Sequence, residues 1–218
     1  MQKLLEGVHR FQQEEFGPFK KVFRRLSREG QKPHTLFITC ADSRVVAELI
    51  TQSKPGDLVV VKNIGNIVPP PDPEGGCSST GAGIEFAVEV LGVSDIVVCG
   101  HSQCGAIAAL MKPDNTPTEL QHLRKWVNLA TPVKDLIERN YNHLQTEAER
   151  IRAAEEENVL FSIERLQMYP CVSRRLREGS LRLHAWFFKI ATAELFAYDP
   201  EQRQFHLITE ETASSGVV

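Results

Sequence analysis

Two short apolar runs, each followed at once by metal-binding side chains, constrain this chain more than anything else in it. Thr35-Leu36-Phe37-Ile38-Thr39 is rich in β-formers, about strand length, and leads into Cys40-Ala41-Asp42-Ser43-Arg44. A second run, Asp95-Ile96-Val97-Val98-Cys99, leads through Gly100 into His101-Ser102-Gln103-Cys104. Two buried strands of this kind deliver Cys40, His101 and Cys104 to the carboxyl end of a parallel sheet, the edge where open α/β sheets bind ligands. Two thiolates and one imidazole suit zinc, and three protein ligands leave one coordination position open, the mark of a catalytic site. His101 and Cys104 are three apart, a workable separation at a strand-to-helix turn. Cys104 then sits at a helix start, where the dipole and orphan amides lower a thiol pKa. A buried cysteine is also an ordinary small hydrophobe, and Cys99 and Cys171 are read that way.

Asp42 has three possible fates beside such a centre: to bind the metal, to accept a hydrogen bond from metal-bound water, or to cap the next helix. Arg44 can grip both carboxylate oxygens in a fork and keep Asp42 off the metal.

The rest of the chain reads as repeated β-α-β with right-handed crossovers. Residues 2 to 27 are helical, with Leu4, Leu5, Val8, Phe11, Val22, Phe23 and Leu26 at helical spacing, and Gly17-Pro18 is expected to break them into two helices. This arm lies across either a partner subunit or its own core. A helix over Val45 to Thr51 and a strand over 57 to 63 follow, the latter continuously apolar as when both faces are covered. Residues 69 to 76, Pro-Pro-Pro-Asp-Pro-Glu-Gly-Gly, form a stiff loop, and Ser79 or Thr80 caps a helix to about Leu91. Helix runs from Cys104 to Met111 and from Thr118 to Asn140, interrupted at Pro132. Thr146-Glu147-Ala148-Glu149 is a capping box that opens a long helix to about Gln167, with Ile151, Ala154, Val159, Leu160, Ile163 and Leu166 inward. Pro170 stops it. Leu181 to Ile190, Glu194 to Tyr198 and Phe205 to Thr209 read as hairpin strands, and Ser214-Ser215-Gly216 as a frayed end. The fold class is therefore α/β: a mostly parallel central sheet flanked by helices, a helical arm over 1–28, an α/β core over 29–218 and antiparallel C-terminal strands, all in one domain.

Composition serves mainly to exclude. A net charge of -3 with no dense basic tract lacks the footprint of a nucleic-acid binder. No segment approaches the roughly 18 apolar residues of a membrane span. Five cysteines and no apolar leader fit a reducing compartment, hence a cytoplasmic protein.

Cys-Ala-Asp-Ser-Arg at 40 to 44 and His-Ser-Gln-Cys at 101 to 104 resemble the paired motifs of the β-class carbonic anhydrases. The likeness extends through Gly-Asp-Leu-Val-Val-Val-Lys-Asn-Ile-Gly-Asn at 56 to 66, Thr-Gly-Ala-Gly-Ile-Glu-Phe-Ala-Val at 80 to 88 and Leu-Arg-Leu-His-Ala-Trp at 181 to 186. Met-Gln-Lys-Leu-Leu-Glu-Gly at the start and Leu-Gln-Met-Tyr-Pro at 166 to 170 look most like the cyanobacterial carboxysomal branch. The resemblance implies zinc on Cys40, His101 and Cys104, with Asp42 and Arg44 as the dyad that gates the fourth position. It also implies reversible hydration of CO2 to bicarbonate by zinc-bound hydroxide. Gln31, Val59, Ile64 and Phe86 are the implied substrate-pocket positions. A homodimer or dimer-based higher oligomer, with pocket walls lent by the neighbour, the carboxysome as location and a carboxysome scaffold protein as partner, completes what the family suggests. A zinc site of three imidazoles, itself known from carbonic anhydrases, brings bound water to a pKa of about 7. Two thiolates cancel the ion's charge, so activity here is expected to rise at higher pH.

Several positions depart from the family pattern. Lys62 stands where Arg is usual, Phe86 where Tyr is common, Val59 where plant-like members have Phe, Ser162 where the branch has Gln, and Ala185 where Gly precedes the tryptophan. Those at Lys62, Phe86 and Val59 motivate a rival reading, a catalytically weakened or silent zinc protein acting as a carboxysome scaffold component. A third reading keeps the chemistry but moves it to a linear CO2 analogue such as carbonyl sulfide.

Overall fold

In the computed structural model, which describes residues 1–72 and 76–215, the chain opens with helices α1 (Gln2–Arg10) and α2 (Phe16–Glu29). The expected break at Gly17-Pro18 is absent. A wider π turn, Phe11–Glu15, joins the two helices instead. Pro18 has no N–H to donate and its ring crowds the carbonyl four residues back, in that same turn; widening it relieves both faults and lets the helix continue. Neither helix buries a residue: Leu5 is 64% exposed, Val8 54% and Phe23 38%. The arm therefore does not pack along its own core, although its last turn lies against it, with Leu26 beside Gly56.

Strand β1 (Thr35–Cys40) is buried throughout. Helix α3 (Ala47–Thr51), strand β2 (Leu58–Asn63) and helix α4 (Ser79–Glu85) follow, the last continuing as a π turn to Val90. The cap of α4 is Ser78, whose Oγ accepts from the Gly81 amide, rather than Ser79 or Thr80. The Thr80 hydroxyl is committed elsewhere, accepting from Asn63 Nδ2. Of the proline-rich loop, residues 73–75 lie outside the described residues. Strand β3 (Asp95–His101) leads into helix α5 (Gly105–Met111).

Helices α6 (Gln121–Val127), α7 (Thr131–Asn140), α8 (Glu147–Gln167) and α9 (Pro170–Arg177) then carry the chain back across the sheet. Pro132 and Pro170 sit in the first turns of α7 and α9, where a missing N–H costs nothing, so each starts a helix. The capping box forms as read: Thr146 accepts from the Glu149 amide while Glu149 reaches back to the Thr146 amide. Strands β4 (Arg182–Lys189), β5 (Glu194–Asp199) and β6 (Gln204–Leu207) and helix α10 (Glu210–Ser215) complete the fold. Ser214 and Ser215 thus belong to a helical turn; Gly216 lies outside the described residues.

The sheet order is β2-β1-β3-β4-β5-β6. The three tail strands pair antiparallel as expected, and β4 also joins the parallel part of the sheet beside β3, because the helices between them form a crossover. Antiparallel pairing begins only at β4–β5. β2 is an edge strand: Val59 and Val61 pack on one core cluster and Leu58 and Val60 on another, so both faces are covered, yet the strand stays half-exposed.

Register places the chemistry. Thr39 pairs with Cys99 on one side and Cys40 with Asn63 on the other, so Cys40, Asn63 and His101 emerge at one sheet edge. Beneath that edge Ile67, Ile107, Leu110, Val127 and Ile137 form a buried cluster with Cys40 and Cys104. Each such side chain contributes about 1.5–3 kcal/mol on burial, against roughly 0–1 for a surface ion pair. Apolar packing is what holds α5 in place.

Candidate metal centre

Cys40 ends β1, His101 ends β3 and Cys104 precedes α5; all three are buried, and their ligand atoms lie within 4.8 Å of one another. The two sulfurs are 4.0 Å apart. Two sulfurs about 2.3 Å from a tetrahedral zinc lie about 3.8 Å apart, so the spacing fits that ion. The His101 Nδ1–H donates to the Ser102 carbonyl at 2.9 Å, which leaves the Nε2 lone pair for a ligand. That Nε2 is buried and makes no hydrogen bond. A buried ring nitrogen of this kind costs stability unless something binds it. The Cys40 thiol is pulled down to about 4, first by the hydrogen bond from the Cys104 thiol and then, against the effect of burial, by His101 and the amides of Asp42 and Gly65. Cys104 is pushed up, as the donor of that bond and by burial. The hydrogen bond thus biases the pair toward a thiolate at Cys40, with Cys104 as its donor.

Asp42 is gripped as a fork. Its Oδ1 accepts from the Arg44 amide at 2.9 Å and from Nε at 3.0 Å, and its Oδ2 from Nη2 at 2.7 Å. Arg44 holds this carboxyl well below the usual carboxylate range. Oδ2 also lies 3.9 Å from His101 Nε2, so the carboxylate borders the trio without being part of it. Gln103, at φ 60°, seats the guanidinium from the other side through its carbonyl and Oε1. Lys62 Nζ donates to the carbonyls of Asp42 and Val45, so the lysine that replaces the usual arginine pins the Asp42–Val45 turn.

Behind the edge stands a set of polar groups that sequence reasoning missed. Glu155, Asn158 and Ser162 lie on the inward stripe of α8, each 4% exposed or less. Glu155 Oε1 accepts from the Cys104 amide at 2.7 Å, and burial pushes its carboxyl up to about 7. Asn158 donates to the Gly65 carbonyl, while Ser162 donates to the Asn66 carbonyl and accepts from the Val68 amide. Gly65, at φ 79° and with the place of a Cβ taken by Ala106, presents its amide to Cys40 Sγ at 3.4 Å. The signal was there: positions 155, 158 and 162 recur at helical spacing among the apolar members 151, 154, 159 and 166, so they share the buried face.

Of the four expected pocket residues, only Ile64 is at the metal edge, next to Gly65, with its carbonyl receiving Trp126 Nε1. Gln31 precedes β1, and roughly 16 Å of strand separates Thr35 from Cys40; it belongs to the opposite end of the sheet. Val59 pairs with Leu36, four residues before the Asn63–Cys40 pair. Phe86 is exposed on the π turn after α4, while Ile84, Ala87 and Val88 beside it are buried. Within one chain these three do not meet the trio.

A buried Cys-His-Cys trio at the carboxyl edge of a mixed α/β sheet, with a clamped carboxylate beside it, defines an α/β protein with a site that could hold a metal ion. The comparisons narrow the class: the carbonic anhydrase family profile matches residues 35–195. A carbonic anhydrase of Synechocystis sp. is 41% identical over 199 residues, 91% of this chain and 71% of the relative. Among solved structures, the β-carbonic anhydrase CcaA is 39% identical, with a TM-score of 0.90 over 96% of this chain and 92% of that one. One of two tetrameric β-carbonic anhydrases of Sordaria macrospora is 30% identical, with a TM-score of 0.72 over 90% and 92%. The chain belongs to the carbonic anhydrase family, in its β class.

Proposed function

We propose that this chain is a zinc-dependent carbonate dehydratase that interconverts CO2 and bicarbonate. The observation that carries the reading is the buried trio of Cys40, His101 and Cys104 with Asp42 forked by Arg44 at its rim. Zinc held by these three residues would supply a Lewis acid that acidifies a bound water, less strongly than a three-imidazole site does because two thiolates cancel the ion's charge. The protein's own part follows from the contacts. Asp42 keeps an acceptor oxygen beside the trio, and Arg44 keeps that oxygen from swinging onto the metal. The apolar cluster under the edge limits water to the open side. Lys62, Gln103 and Glu155 hold the two loops that carry these groups.

The chain functions in this reading as one domain with an arm, paired with a second copy. The arm's uncovered apolar face and the tetrameric Sordaria macrospora relative support that. Gln31, Val59 and Phe86, remote from the trio in their own chain, are then assigned to the neighbour's pocket. A place in the carboxysome rests on the likeness to the Synechocystis relative. No helix of the described residues is long and apolar enough to cross a membrane. Of the three changes that motivate the scaffold reading, Lys62 is bonded into the site, while Phe86 and Val59 lie away from it. Stopped-flow CO2 hydration on purified, zinc-quantified protein tests the proposal: catalysis above buffer is expected. No such rate at full zinc occupancy would overturn it in favour of the scaffold.

A further inference from the structure

Cys104 occupies the N-cap of α5, and no side chain of its own segment caps that helix. A serine or aspartate there would use its side chain on the helix amides; the sulfur of Cys104 is needed elsewhere. In a capping box a glutamate three residues on reaches back to the N-cap amide, but that position is Ile107, fully buried and apolar. The amide of Cys104 is satisfied instead from 51 residues away, by Glu155 on α8. The residue before it, Gln103, is held in a left-handed conformation, a state that persists only when surroundings impose it. Gln103 is also the seat of the Arg44 guanidinium. One contact from α8 thus steadies a segment that carries a metal ligand on one residue and supports the Asp42 clamp on the other.

We propose that Glu155 is a positioning residue for the metal centre, tethering the Cys104 backbone so that its sulfur is aimed at the metal and Gln103 stays under Arg44. The inference rests on the zinc reading above. Both ionised and neutral carboxyl groups accept through Oε1, so the tether does not depend on charge; it depends on an acceptor at that place.

The test compares Glu155→Gln, which keeps an acceptor, with Glu155→Met and Glu155→Ala, which delete it. Zinc affinity is read by chelator competition, and ligand geometry by the thiolate charge-transfer bands of the cobalt-substituted protein. With native circular dichroism and native mass, the Met or Ala variant is expected to bind zinc about 10–100-fold more weakly and to shift those bands. The Gln variant should stay within about threefold of the parent. The proposal fails if a folded deletion variant holds zinc as tightly as the parent, if Gln is as weak as Met, or if neither deletion variant folds. A parent chain that binds no zinc sinks the functional reading instead, so the two failures are distinguishable.

Discussion

The arm and helix α8 are opposites. The arm's α1 and α2 are strongly amphipathic yet leave their apolar face in solvent, whereas α8 is only weakly so and buries three polar side chains among its apolar ones. Helical periodicity reports which residues share a face; it is silent on what that face meets. On α8 the inward polar groups meet unpaired backbone of the metal-site loops, namely the Cys104 amide, the Gly65 and Asn66 carbonyls and the Val68 amide. On the arm Leu4, Leu5, Val8 and Phe11 stay exposed among the described residues. One helix is finished by its own chain and the other is not.

The largest effect that could break this contrast comes from the arm. Val8→Glu with Phe11→Glu is expected to leave the fold intact by circular dichroism while converting the assembly to monomers by light scattering. CO2 hydration should fall with it, because the pocket positions assigned to a neighbour are lost. A charged arm that still assembles would mean that its apolar face covers nothing. At the metal edge, Asp42→Asn should retain zinc by elemental analysis and slow CO2 hydration by about a hundredfold or more. The parent's rate should climb through the alkaline range, because two thiolates neutralise the ion, and a profile flat from about pH 6 to 9 contradicts that account.

Within α8, Ser162→Ala orphans the Val68 amide and the Asn66 carbonyl and should cost about 1–3 kcal/mol in chemical denaturation with no change of mass. Thr146→Ala at the cap of the same helix should cost about 1 kcal/mol in the same assay. Smallest is a pH effect at the opposite sheet end. Burial pushes the Asp95 carboxyl up, but hydrogen bonds from Arg182, Ser94 and His184 outweigh it and hold it below the usual carboxylate range. A depressed carboxyl stabilises the native state above its unfolded pKa of about 3.9 and loses that contribution as pH falls. Asp95→Asn should therefore lower stability at neutral pH and flatten its acid limb; an unchanged limb rules Asp95 out as a contributor.

What could be read in advance was local. Cys40, His101 and Cys104 announce themselves because ligand residues directly follow strand-like runs, and the capping box at Thr146 needs only a four-residue window. Helical spacing marks Glu155, Asn158 and Ser162 as inward, but their partners lie 51 to 96 residues away, so nothing near them in the chain says what they meet. Pro18 was misjudged because a widened turn can absorb a proline without ending a helix. The direction of β4 depended on whether the helices before it crossed the sheet, which periodicity does not record. Gln31, Val59 and Phe86 came from a family pattern in which a pocket draws on two copies, and a single chain scatters them.

The hydrogen bond from His101 Nδ1 to the Ser102 carbonyl has one more consequence. It commits the ring to a single tautomer by a contact made of polypeptide alone, and the apolar packing around the trio likewise needs no ion. Small zinc modules collapse when stripped of metal. Here the contacts around the trio are internal to the polypeptide, so chelation is expected to abolish CO2 hydration while leaving the circular dichroism of the fold unchanged.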